Sequence, residues 1–182
     1  SLGGSKPAGL LVDSTVPPLL LHNLIDGGNG NFNADGIVVK NAGTAGVGTL
    51  QLIGNILRAY GSSGNPLKVE DGEGKLRLAR NAMTGGNPNC WIWAEYQGVP
   101  GCRSPNRLEW DRSAGVPFNY DTDCGIMANY HLPFGSSCID SGGDLAFDGG
   151  QQGYDGSPFV DIDGTMRPLG STYDIGPDEF VP

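Results

Sequence analysis

The chain has 182 residues, enough for one domain that buries roughly two-thirds of its unfolded surface and too few for two comfortable ones. Thirty-one glycines, thirteen prolines and only 17% charged residues exclude long helices and wholesale disorder, and point to a turn-rich, strand-rich protein. A net charge of -9 with eleven scattered Lys and Arg excludes a nucleic-acid partner, which needs clustered cations.

Residues 1 to 18 read as an extended Gly/Ser/Pro leader around one apolar run, "GLLVDS" at 9 to 14, suited to lying across a neighbour as a donated strand. Ser1 follows no charged or apolar signal region, so a secreted form has already lost its signal. No run reaches the eighteen or more apolar residues of a membrane span.

Residues 19 to 182 read as one domain, and its first part, 19 to 83, is self-similar. When "LLLHNLI", "LQLIGNIL" and "LRLARNAM" are aligned, Asn23, Asn55 and Asn81 coincide at offsets of 32 and 26 residues. Leu20, Leu52 and Leu78 stand three positions before each Asn, and apolar pairs follow it: Leu24 and Ile25, Ile56 and Leu57, Ala82 and Met83. This spacing lies within the range of solenoid coils, with "DGIVVKNAG" (35 to 43) and "NPLKVEDGEG" (65 to 74) as further strands of the same coils. The alternation predicts apolar residues facing inward. Stacked about 4.8 Å apart, the three asparagines would form a ladder of side-chain amides. The rival is that Asn merely favours turns.

Residues 84 to 135 differ, holding eight of the fifteen aromatics and three of the four cysteines. They read as an irregular, disulfide-stapled excursion. An even number of cysteines in Gly/Pro-rich sequence predicts two disulfides and an oxidising compartment, since no C-x2-4-C spacing supports zinc. Cys90 with Cys102 and Cys124 with Cys138 close the shortest loops. Trp91, Trp93, Trp110 and Asp111 are the candidate sugar-binding residues, ring faces stacking on sugar CH groups. The alternative, and the preferred one, is that the rings form a small core against the disulfides.

Residues 136 to 182 close the domain. They gather Asp140, Asp161, Asp163, Asp174, Asp178 and Glu179 around Arg167. Arg167 is expected to bridge Asp140, Asp163 or Asp174 as a seam. Calcium at Asp161 and Asp163 is the alternative, because hard oxygen ligands suit that ion. A second calcium candidate is "NFNADG", where Asn31, Asn33 and Asp35 match the start of a calcium loop, although its twelfth position is Ala42. No other cofactor is implied.

Ile139-Asp140-Ser141-Gly142, Asp161 through Arg167, and Asp174-Ile175-Gly176-Pro177-Asp178-Glu179 together resemble the C-terminal signature "IDxG … DxDGxxR … DIGAxE" of secreted bacterial right-handed parallel β-helix proteins. Pro177 replaces the usual Ala. The resemblance implies an all-β fold, a short right-handed β-solenoid, far more firmly than an activity. Such families include pectate lyases, yet "RSPNR" from Arg103 is one residue short of their R-x-P-x-x-R segment, and the G-H-G and R-I-K elements of polygalacturonases are absent. No catalytic residue is assigned. The expected function is a non-catalytic extracellular structural or adhesive module, secreted or on the cell surface. Its partners would be other copies, stacked head to tail into filaments through residues 8 to 25. The alternative is a carbohydrate-active β-helix that binds or cleaves an acidic polysaccharide.

Overall fold

A computed structural model describes residues 7–13, 19–28, 33–40, 50–70, 76–96, 99–103, 120–121, 123–142 and 160–181. The described residues form strands and no helix: β1 (Ala8–Asp13), β2 (Leu19–Leu21), β3 (Leu24–Asp26), β4 (Asp35–Lys40), β5 (Leu50–Ile53), β6 (Ile56–Ala59), β7 (Leu67–Val69), β8 (Leu76–Ala79), β9 (Ala82–Gly85), β10 (Ile92–Tyr96), β11 (Val99–Arg103) and β12 (Tyr120–Asp121). Among them no helix is long and apolar enough to cross a membrane.

The protein is all-β, with three sheets ordered β1-β4-β7-β10-β11, β2-β5-β8 and β12-β9-β6-β3. Every pairing is parallel except that of β10 with β11. The chain visits the three sheets in rotation and returns to each one strand further on, so equivalent residues stack in columns. Leu10, Ile37, Leu67 and Ile92 form one column, and Leu20, Leu52 and Leu78 another. Strand alternation turns both inward, together with Ile25, Leu57 and Met83, into the main core.

The bend between the second and third sheets is built from two neighbouring residues. His22, Gly54 and Arg80 hold the left-handed conformation, at φ 49°, 66° and 53°. A side chain there is strained, so each bend must be held by contacts. The following asparagine supplies them. Asn55 Oδ1 accepts from Asn23 N at 2.9 Å and Asn23 Nδ2 at 3.0 Å, and Asn81 Oδ1 accepts from Asn55 N and Nδ2 at 3.0 Å each. Asn55 Nδ2 also donates to Leu20 O at 2.9 Å, so one side chain ties three successive coils.

Three expectations are corrected by this register. Residues 8 to 13 are not a leader awaiting another molecule: β1 pairs with β4 of the same chain, because its Leu10 and Val12 complete the core columns of Ile37 and Val39. The excursion begins later than residue 84, since β9 and β10 belong to the stacked sheets. Leu24, Ile56 and Ala82 do not face the main core either. Ile56 and Ala82 lie in a second one with Cys124, Leu132, Cys138 and Ile175, and Leu24 packs against it.

Two disulfides are present, Cys90–Cys102 and Cys124–Cys138, each closing a short loop. The first staples β11 beside β10, and the second lies in the second core.

Asn55 is fully buried. Asn55→Leu removes the shared amide and leaves backbone partners unsatisfied, so a loss of about 1 to 3 kcal/mol is expected in urea unfolding. Stability equal to wild type would show that the ladder does not hold the bends.

Candidate functional site

The second core exists because residues 123–142 and 160–181 lie along the column of bends, not over the last coil. Gly176 N donates to Gly54 O at 2.7 Å, His22 meets Asp174 O at 3.1 Å through Nδ1, and Arg80 donates to Ser141 O at 3.5 Å. The closing segment thus touches all three bends in turn. Ile175 and Gly176 explain the "DIG" sequence physically: Ile175 fills the second core, and a Cβ on Gly176, at φ 101°, would lie 2.6 Å from Ile56 Cδ1.

Arg167 enters this seam almost fully buried. Its carboxylate partner among the described residues is Glu179, with Nε to Oε1 at 2.8 Å, and its Nη2 donates to the carbonyls of Asp174 and Gly176 at 3.1 and 3.2 Å. The expected bridges from Arg167 to Asp140, Asp163 and Asp174 carboxylates give way to this pair, because those carboxylates serve backbone amides or another partner. Asp174 accepts from Asp140 N at 2.6 Å and Phe180 N at 2.7 Å, and Asp140 accepts from Thr172 N at 3.1 Å. Glu179 itself also accepts from Asp174 N at 2.9 Å and Leu169 N at 3.2 Å. The seam is one network in which acids cap backbone N–H groups.

Two titrating groups show how dry the seam is. Burial, and next the charge of Arg167, lower the His22 pKa to about 3. The Asp174 carbonyl at 3.1 Å can only accept, which places the proton of neutral His22 on Nδ1, where the donor Arg167 Nη2 also approaches at 3.4 Å; Nε2 has no partner among the described residues. Burial raises Asp174 to about 6 against the opposing pull of its two backbone donors.

The remaining sequence candidates are dispersed. Trp91 packs against the main core, and Trp93 faces outward with Lys68 Nζ 5.5 Å from its ring centroid. Trp110 and Asp111 lie outside the described residues, as does Asn31. Asn33 accepts from Ser63 N at 3.0 Å, and buried Asp35 from Asn65 N at 2.8 Å, so both tie neighbouring coils. Asp161 Oδ1 accepts from Asp163 N at 2.9 Å and Thr165 N at 2.8 Å, shaping the turn that carries Asp163 toward His131. His131 Nδ1 lies 3.0 Å from Asp178 Oδ1, a meeting that sequence reading missed.

A shallow polar cleft of about 400 Å³ opens where β6 and β9 end, lined by Arg58, Tyr60, Thr84 and Asp123 among others. Arg58 lies 3.5 Å from both Asp26 and Asp123, and the Tyr60 hydroxyl donates to Asp26 at 3.1 Å. This constellation also escaped the sequence reading, because its members are 97 residues apart at the extremes, from Asp26 to Asp123.

No family model matches the chain, and neither a curated protein nor a solved structure is found to match it.

Glu179→Gln leaves the Arg167 charge buried without its counter-charge, and a loss of about 3 to 5 kcal/mol is expected in urea unfolding. A loss below about 1 kcal/mol, the range of exposed pairs, would show that the pair does not hold the seam. Two opposing contributions set the seam's response to acid. Below about pH 6.5 the unfolded chain protonates His22, whereas the folded chain resists down to about 3, so the His22 contribution falls as pH falls through that window, while the raised pKa of Asp174, about 6, favours the folded state over the lower pH range and opposes it. From pH 7 to 4 the His22 contribution is about 3 kcal/mol, at ~1.4 kcal/mol per pH unit. Asn tolerates the left-handed conformation. His22→Asn is therefore expected to flatten the acid limb of a stability-versus-pH curve, and an unchanged limb would count against a neutral buried imidazole.

Proposed function

We propose that this chain is an extracellular structural module, a short right-handed parallel β-helix of the secreted bacterial kind that stacks end to end with further copies. The right hand follows from the near-universal handedness of parallel β crossovers. The two disulfides suit an oxidising compartment.

The observation that carries the reading is the rim at the N-terminal end of the sheets. β1, β2 and β3 each end a sheet, paired on one side only among the described residues. Three strand edges at one end, around an interior that includes the partly buried Leu10 and Leu20, form a template for added strands. At the opposite end β11 covers the first sheet in antiparallel fashion, while β8 and β12 end the other two. A head-to-tail contact would therefore use the second and third sheets, and one that does not close makes a filament. The fate of several tail acids supports a structural role too: oxygens of Asp140, Asp161, Asp174 and Glu179 accept from backbone amides.

The cleft at Arg58, Tyr60 and Asp123 favours a second reading, a carbohydrate-binding β-helix. Its carboxylates are already matched by Arg58. This arrangement suits hydroxyl-rich, uncharged saccharide units better than the acidic polymer expected from sequence.

Light scattering over a concentration series, with electron microscopy of the same samples, tests the assembly. Mass that grows with concentration and linear particles are expected. A chain that stays monomeric at high concentration would rule the stacking out.

A further inference from the structure

Three stretches of the closing segment converge away from the Arg167 network. His131, Asp163 and Asp178 place one ligand atom each within 4.8 Å of one another. His131 Nδ1 lies 3.0 Å from Asp178 Oδ1 and 3.5 Å from Asp163 Oδ2. Nitrogen and oxygen ligands about 2.0 to 2.2 Å from one tetrahedral ion stand about 3.3 to 3.5 Å apart. The first separation is shorter than that edge, the second lies at its limit, and the two carboxylate oxygens lie within 4.8 Å of each other, so one small ion requires the carboxylates, Asp163 on its exposed turn foremost, to shift toward it.

Charge points the same way. The Asp178 side chain is 4% exposed, and His131 is the only basic group within ion-pair distance of it among the described residues. A buried carboxylate requires a cation or a full set of donors. A proton on His131 would balance one of the two carboxylates that share its Nδ1; a divalent ion beside a neutral imidazole balances both.

The surroundings hold the ligands in place. Asp178 Oδ2 accepts from Leu132 N at 2.7 Å, which orients the carboxylate from the residue next to His131. The turn that presents Asp163 is set by Asp161. Supporting hydrogen bonds of this kind orient metal ligands, and their loss typically costs about 10- to 100-fold in metal affinity. Asp163 itself is 58% exposed, leaving room for water on the open side.

We propose that His131, Asp163 and Asp178 form a binding site for one first-row divalent cation of the zinc class. Imidazole with carboxylates suits zinc, whereas calcium seeks six to eight oxygens and has no use for the nitrogen. The site is independent of end-to-end stacking. An ion there would clasp residues 123–142 to residues 160–181, joining both halves of the closing segment.

Zinc chloride titrated calorimetrically into the chelator-treated full chain at neutral pH is the test, with calcium chloride in parallel. The expected result is one zinc per chain, a melting temperature that rises with zinc, and no calcium binding at the same concentration. Asp163→Asn, on an exposed turn, is expected to keep the circular-dichroism spectrum and melting temperature of the metal-free chain while weakening zinc at least about tenfold; His131→Gln should do the same to zinc. Absence of zinc binding, equal binding by Asp163→Asn, or calcium bound as tightly as zinc would each overturn the proposal.

Discussion

Everything in this fold depends on a bend that costs energy and must be made three times in register. His22, Gly54 and Arg80 take up left-handed backbone, and only Gly54 does so without a side-chain penalty. The compensation lies one residue on, where Asn23, Asn55 and Asn81 bond each other and the neighbouring strands. Because each amide serves a different coil from its own, no bend is stable alone. The stack of sheets and the column of bends require each other.

The bends also dictate where the chain ends its path. A column of turning backbone leaves polar groups facing outward, and the closing segment satisfies them with Asp174 O, Gly176 N and Ser141 O. In doing so it covers Ile56 and Ala82, which makes a second apolar core from residues that a simple inside-out coil would leave wet. The Arg167–Glu179 pair sits in that dry layer. A buried ion pair of this sort gains little over an apolar filling in stability. Its geometry does something an apolar filling cannot: one guanidinium fixes the Asp174 and Gly176 carbonyls and one carboxylate fixes two backbone amides.

A high count of acidic side chains in the tail therefore has a mechanical explanation. Asp140, Asp161, Asp174 and Glu179 accept from backbone N–H groups, whereas His131, Asp163 and Asp178 face one another, with Asp178 also accepting from Leu132 N. Another cleft lies elsewhere, around Arg58 and Tyr60 at the ends of β6 and β9.

Local pattern was enough for much of this. Period-two alternation interrupted by Asn at offsets of 32 and 26 residues placed the bends, and short Gly/Pro loops placed the cysteine pairs, because both are consequences of nearby residues. Alternation could not say which of two consecutive apolar residues faces in: at Ile56-Leu57 both are buried, one in each core, and the second core is made by residues far along the chain. Likewise an acid can be recognised as a capping residue, but the amide it caps is chosen by packing, so Glu179 instead of an aspartate receives Arg167. His22 reads as one polar residue in a leucine-rich strand; only the arrival of Asp174 and Tyr173 from 152 and 151 residues away turns it into a dry, neutral imidazole. What the residues determined alone was the repeat, its bends and its staples. Which groups meet across the seam was decided by tertiary structure, since desolvation and hydrogen-bond choice depend on neighbours that sequence separation conceals.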